Sequence, residues 1–447
     1  MSLTLAGGTI TGDPATGRLR RILGVGFGLA VIVGSTLGIG ILRAPGGVAG
    51  QLHDPGTILA VWIFGGLYTL LGSICFTELG TMAPQAGGYY VYARRAFGDR
   101  VGFAVGWTDW ITYCAVLGYV SIAMSEFLGE LVPVLAGAVR PVAIGVLVGF
   151  VALQWAGVRV SSRFQEWTTA LKCLAFVALI VAGLIVSGAP SAHTSSPAAP
   201  LSALSVDGLV AALELVVITY AGWQSALYFT EEDRDAARNL PRAMIGGVLA
   251  VIAIYVLVNV ALLAILPIPE LASAKLPAAA AAQRLLGGLG GQVITVLSLI
   301  SLPPLLNAIM MIGTRILFAM GRDRLLWART ARVNPAGTPG VATLVTAGVA
   351  IVLIATGTFQ RLVAIAAFFL ALNYAICCVA LVVLRRREPA APRPFRAWGY
   401  PWSAAIVIAG ALTFLGSTLW GDTQTAIAGI AVVAVGLVVH EMRRRLR

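Results

Sequence analysis

The sequence predicts an all-α polytopic membrane protein with twelve transmembrane helices, on three observations. Of its 447 residues, 58% are hydrophobic and 11% charged, too little charge to cover a soluble domain of that length. The charges cluster, leaving apolar runs that span or nearly span a bilayer, which takes about 20 residues of helix. Arginine is concentrated in alternate loops, as in a chain threaded back and forth through a membrane.

The runs are 22–42, 55–77, 110–125, 141–158, 173–206, 215–230, 243–269, 285–314, 333–360, 362–384, 397–421 and 423–440. The runs at 110–125 and 215–230 are short. Each continues as apolar sequence beyond a flanking acid, so Asp109 and Glu214 are predicted inside helices. The runs at 173–206 and 285–314 each take in part of a loop. The loop at 188–208 is Ser/Ala/Pro-rich without Lys or Arg, and the one at 267–290 is predicted to hold a short helical piece. Neither has room for a domain.

With both termini placed in the cytoplasm, the inner side holds arginine groups at 18–21, 94–100, 159–163, 234–242, 322–332, 385–396 and 443–447. The outer side holds Arg43, Arg140, Lys275, Arg284 and Arg361. This positive-inside asymmetry supports twelve spans. It also accounts for the net charge of +12 as a topology and headgroup signal, with no nucleic acid implied. Cys75, Cys114, Cys173, Cys377 and Cys378 all lie in apolar runs, which predicts buried thiols and no disulfide framework. No cleavable signal peptide is expected, because residues 1–17 are polar and the first apolar run is long enough to stay in the membrane.

The sequence offers no nucleotide loop, metal cluster or catalytic triad, and no cofactor or metal site is predicted. His53, His193 and His440 map to loops or helix ends, so an intramembrane enzyme would lack a histidine base at depth. A channel would need a ring of carbonyls or charges. An ATP-driven pump would need a nucleotide domain. Movement of a solute on gradients or by exchange is what remains, with a membrane-embedded enzyme or channel as the rival class.

Helix 1 carries Gly34, Gly38 and Gly40 within Gly34-Ser35-Thr36-Leu37-Gly38-Ile39-Gly40. One reading is close helix packing. The other is an unwound segment whose free N–H groups hold a carboxylate and whose free carbonyls hold an ammonium. Helix 6 carries Thr219-Tyr220-Ala221-Gly222-Trp223. If helices 1–5 and 6–10 are inverted repeats, these two segments correspond.

Several segments in order resemble one family. They are GSTLGIGIL, then APGGVAGQLHDPGTILAVWIFGGLYTLLGSICFTELGTMAPQAGGYYVYARRAFGDRVGFAVGW, AGVRVSSRFQEWTTALK, TYAGWQSALYFTEEDRDAARNLPRAM, GTRILFAMGRDRLLW with NPAGTPGVAT, and RPFRAWGYPW. Together they resemble the amino acid–polyamine–organocation superfamily, near the L-type amino acid transporters and their bacterial relatives.

The resemblance implies a five-plus-five inverted repeat with two added helices. The corresponding division is 1–21 N-terminal tail, 22–187 first repeat, 188–208 outer loop, 209–384 second repeat, 385–401 linker, 402–441 added helices and 442–447 tail. It implies secondary transport of amino acids in the cytoplasmic membrane, with other amines or polyamines as the alternative substrates. The substrate carboxylate would meet the N–H groups of Gly38, Ile39 and Gly40 with Ser35 nearby, and the amine the carbonyls of Thr36, Ile218 and Ala221. The family's Gly-Ser-Gly has Ile39 at its middle, and its aromatic gate position is Ile218. Covering therefore falls to Tyr220 or Trp223, beside Gly222. Ile39, Ile218 and Ala221 predict an apolar, uncharged pocket and small or medium neutral substrates.

Lys172 and Lys275 are the only lysines. Lys172 lies well inside helix 5 and either snorkels to the inner interface or stays buried, where an ammonium must be paired or lose its proton. The resemblance puts its ammonium where sodium-driven cousins hold sodium, against the Gly34 carbonyl and Ser301, which predicts sodium-independent transport by exchange or proton coupling. No covalent partner chain is expected, since no cysteine lies outside the helices. Glu78 is predicted to pair with Arg94 or Arg95. Asp109, Glu126 and Glu214 are expected to snorkel or pair near helix ends, proton carriage being the alternative. Arg315 is expected at the inner interface, and Trp107, Trp110, Trp398 and Trp402 as interfacial anchors.

Overall fold

The computed structural model describes residues 19–186, 205–357 and 359–445. The tail before residue 19 and most of the predicted 188–208 loop lie outside them. Among the described residues the elements are helices, with one isolated bridge between Leu23 and Asp233.

Helices α1 (Val25–Thr36) and α2 (Gly40–Gln51) form one span bent by 47°. Then come α3 (Pro55–Met82), the short α4 (Tyr89–Phe97), α5 (Asp99–Leu131), α6 (Val139–Trp155), α7 (Val158–Val186) and α8 (Val206–Thr219). A 3₁₀ segment at Trp223–Phe229 leads to α9 (Ala236–Ile265). The 267–290 loop holds two helices rather than one piece, α10 (Ile268–Ser273) and α11 (Pro277–Leu286). They are followed by α12 (Gly290–Arg322), α13 (Gly340–Thr356), α14 (Phe359–Arg387), α15 (Trp402–Gly421) and α16 (Thr423–Arg445). Among the described residues ten helical stretches are long and apolar enough to cross a membrane, α6 counted with the 3₁₀ turn at Pro133–Ala138 and α8 with that at Trp223–Phe229, or eleven with the bent pair. The remaining predicted run folds as α13, which at 17 residues falls short of a full span of about 20. The chain is a multi-pass helical membrane protein.

Local chemistry sets several helix starts. Asp54 caps α3 by accepting from the Thr57 N–H at 2.7 Å, with Pro55 next in the first turn. Ser205 caps α8 by accepting from the Gly208 N–H at 3.0 Å. Each such cap stabilises by about 1 kcal/mol.

Burial is inverted relative to a soluble protein. From Leu302 to Gly321 every residue of α12 except Pro303 is buried, and α5 is mostly buried beside it. The outward faces carry large apolar side chains: Phe64 on α3, Leu174 and Ile185 on α7, and Trp420 on α15, which is 94% exposed. In water such a surface would aggregate; in lipid it is the solvated one.

The arginine-rich end is cross-linked, with partners that differ from those predicted. Glu78 is buried and pairs with Arg385 and, at 3.1 Å, with Arg393, and it accepts the Ala397 N–H at 2.6 Å. Arg95 pairs instead with Glu388 at 2.6 Å, holding that carboxyl below the usual carboxylate range. Arg94 takes Asp99 and Asp323. Arg315 does not reach an interface. It is fully buried, its fork bonded to both oxygens of Glu232 at 2.9 and 3.1 Å. Trp110 is likewise buried, donating to the Thr346 hydroxyl, whereas Trp398 and Trp402 are exposed as expected of anchors. The half-buried Trp107 donates to the Val432 carbonyl at 3.0 Å.

Candidate functional site

Two helix breaks meet in the centre of the bundle. α1 stops because its last hydroxyls turn back on their own helix: Ser35 Oγ lies 2.5 Å from the Val31 carbonyl and Thr36 Oγ1 2.8 Å from that of Ile32. Such back-bonding bends and weakens a helix end. Leu37 then turns extended (φ −68°, ψ 93°), and the helix resumes at Gly40. α8 ends at Thr219, and Gly222 takes φ +119°. A Cβ on Gly222 would lie 2.7 Å from the Ser35 carbonyl oxygen and 2.9 Å from the Thr36 nitrogen. Glycine is therefore required there for conformation and for space.

The breaks free backbone groups on two sides. Gly38, Ile39 and Gly40 lead into α2, whose first N–H groups have no partner within the helix. The Gly34 and Leu37 carbonyls accept from Lys172 Nζ at 2.8 and 2.5 Å. Lys172 is fully buried on α7 and turns inward, so it does not snorkel. Its predicted contact with Ser301 is absent: the Ser301 hydroxyl donates to Leu297 of its own helix at 2.8 Å, the usual outlet for a mid-helix serine. The Thr36 and Thr219 carbonyls face the Tyr255 hydroxyl at 2.7 and 3.0 Å. That of Ile218 accepts from the Ala221 N–H at 3.0 Å.

A cavity of about 270 Å³ opens at this junction. Ser35, Thr36, Gly38, Ile39, Gly40, Ile218, Ala221 and Gly222 all line it. Gly34 does not; a Cβ there would strike Gln165 and Thr169 of α7, so this glycine serves close packing. The two readings of the glycine cluster thus divide by position.

The predicted covering residues point elsewhere. The Tyr220 hydroxyl donates to the Trp62 carbonyl at 3.1 Å and its ring packs on Tyr255. Trp223 packs on Phe76 and Tyr374, against Gly72. The aromatic side chains that do line the cavity are Tyr113 and Tyr119 of α5. Sequence reading missed them because nothing in α5 marks which of its faces points inward.

The lining is also not free of charge, because Arg43 is part of it, exposed and without an ion-pair partner among the described residues. It follows Ile39 by four residues, so it shares that face of α2, a signal the sequence did contain. Asp109 is not near a helix end; it is buried three turns into α5 and accepts from the Tyr228 hydroxyl at 2.8 Å. Glu126 is exposed and Glu214 half-buried.

The profile of the family described as amino acid permease matches residues 28–439. The serine/threonine exchanger SteT of Bacillus subtilis is 29% identical over 433 residues, covering 96% of this chain and 98% of that protein. The Asc-type amino acid transporter 1 of Homo sapiens is 30% identical over 400 residues, covering 87% and 76% respectively. The large neutral amino acids transporter small subunit 2 of Homo sapiens is 27% identical over 432 residues, covering 94% and 80%.

Proposed function

The chain belongs to the amino acid permease family, and from that premise we propose that it carries small or medium neutral amino acids across the cytoplasmic membrane by alternating access, without sodium and without catalysing a reaction. The observation that carries this reading is the cavity at the two helix breaks. It offers unpaired N–H groups on one side and carbonyls on the other, the complement of a zwitterion. The carboxylate binds at Gly38, Ile39 and Gly40 beside Ser35, and the ammonium at Thr36, Ile218 and Ala221. Each of these carbonyls has a second lone pair beyond any bond it already accepts.

Size and charge favour the same substrates. A cavity of about 270 Å³ lies below the roughly 300–1,000 Å³ that suits drug-sized ligands. Arg43 at its rim repels cationic side chains and attracts the carboxylate end. The names of the serine/threonine exchanger and of the Asc-type and large neutral amino acid relatives support the neutral class. Lys172 fills the gap between α1 and α7 with its amine, bonded to the Gly34 and Leu37 carbonyls, which supports sodium independence.

The repeats run 22–187 and 209–384, with both termini cytoplasmic. The cavity is then reached from the outer side, past Arg43, while ion pairs such as Arg322–Glu231 close the inner side. Uptake of radiolabelled serine, alanine and leucine into proteoliposomes tests the proposal, with empty vesicles as control and choline replacing sodium. Saturable uptake that survives choline is expected. A strict sodium requirement, or uptake of arginine or glutamate alone, would refute it.

A further inference from the structure

Asp109 takes no part in the substrate cavity, yet it is a fully buried carboxyl without a cation. Its Oδ2 accepts from the Tyr228 hydroxyl at 2.8 Å, and its Oδ1 has no hydrogen-bond partner among the described residues. The titratable groups that face it are Tyr113 on its own helix, Tyr89 from α4, Tyr228 from the 3₁₀ segment, and Tyr374 and Cys377 from α14.

The cations on the neighbouring helices are engaged or distant. Arg315 of α12 is bonded to Glu232, and Arg94 of α4 to Asp99 and Asp323. His440 of α16 packs on Phe103. Arg140 of α6 lies near the level of Ser125, about four turns along α5 from Asp109. α13 contributes the Thr346 hydroxyl, which serves Trp110. Among the described residues no Lys, Arg or His pairs with Asp109. An ionised carboxylate buried in apolar surroundings needs a counter-ion or a proton, and no counter-ion is provided.

This pocket is connected to the cavity. The Tyr113 ring packs edge-on against Tyr228 with centroids 5.4 Å apart. The Tyr113 hydroxyl accepts from Gln224 Nε2 at 3.4 Å. Gln224 Oε1 in turn accepts from the Gly222 N–H and the Tyr374 hydroxyl, each at 3.1 Å. Tyr113, Gln224 and Gly222 all line the cavity.

We infer that Asp109, reached from the substrate cavity through Tyr113 and Tyr228, is a proton-carrying site that moves one proton with each amino acid. The inference rests on the transport function proposed above. In loading, Tyr228 passes its hydroxyl proton to Oδ2 as it takes a replacement, by way of Tyr113, from cavity water on one side of the membrane. Release runs the same path backwards to water on the other side. The carboxyl alternates between neutral and singly negative, and nothing is oxidised or reduced.

The test uses purified full-length protein in sodium-free liposomes with a pH dye inside. An inward alanine gradient should acidify the lumen, and uptake should rise several-fold from pH 8 to pH 6. Asp109→Asn should abolish the acidification and flatten the pH profile while alanine–alanine counterflow continues. Tyr228→Phe should slow acidification relative to counterflow; it carries the test if the Asn variant does not fold. Wild-type uptake with no lumen acidification and no pH dependence would overturn the inference and leave the proposed function standing. Acidification by either folded variant at the wild-type ratio to counterflow would also overturn it. A wild-type protein that moves no amino acid in either assay would refute the proposed function, and this inference with it.

Discussion

The hydroxyl of Ser35 reaches across from one helix break to the carbonyl of Gly222 in the other, 2.9 Å away. The Ser225 hydroxyl approaches the same carbonyl at 2.7 Å and Ser35 itself at 2.7 Å. The two breaks are thus joined side chain to backbone, and the cavity lies along that joint.

Gly222→Ala tests the joint. The new methyl meets the Ser35 backbone, and φ +119° is foreign to alanine. A strained backbone of this kind costs about 1–3 kcal/mol before the clash is counted. The variant is expected to melt at a lower temperature in detergent and to lose uptake. An unchanged melting curve with wild-type uptake would show that the breaks are not in mutual contact.

Lys172→Ala removes the donor to two freed carbonyls of the first break. Uptake of neutral amino acids should fall at least roughly tenfold, equivalent to about 1.4 kcal/mol. The measurement is initial uptake per folded carrier, with folding checked by size-exclusion profile. Full activity in this variant would mean that the lysine has been given the wrong role.

Substrate analogues probe the backbone site without mutation. An amino acid amide and an N-acetyl amino acid each lose one charged end. Each should bind about 2–5 kcal/mol more weakly than the parent, read as loss of competition against labelled alanine. Equal competition by either compound would remove the case for a zwitterion site.

Glu232→Gln leaves Arg315 buried without its counter-charge. Breaking a buried pair in this way typically costs about 3–5 kcal/mol, so a large fall in melting temperature is expected. Adding Arg315→Met should recover much of it, since the uncompensated charge is then gone. A double variant no more stable than the single one would show that the pair contributes by packing instead.

The membrane class and the location of the two breaks were legible because each leaves a one-dimensional mark. Uncharged runs, a glycine cluster in mid-span and a lone lysine in an apolar helix need no knowledge of neighbours. Pairings were not legible. Glu78 finds Arg385 across 307 positions of sequence, and the nearer Arg94 and Arg95 turn to other acids. The cavity's aromatic lining was hidden for a related reason. α5 is buried on most faces, so its polar and aromatic residues show no periodic stripe that would single out Tyr113 and Tyr119. Lengths were blurred as well: α13 ends after 17 residues inside a predicted run that continued to 360.

The Tyr255 hydroxyl stands 2.7 Å from one freed carbonyl, Thr36, and 3.0 Å from another, Thr219. A phenol has a single hydrogen to give. At any instant one of these oxygens is served and its neighbour is in debt, and a small rotation about the C–O bond exchanges them. Under the function proposed above, an ammonium at the second lone pair of Thr36 would weaken that oxygen's hold on the phenol hydrogen and favour its turn to Thr219, so occupancy at the first break would be recorded at the second without any movement of the backbone.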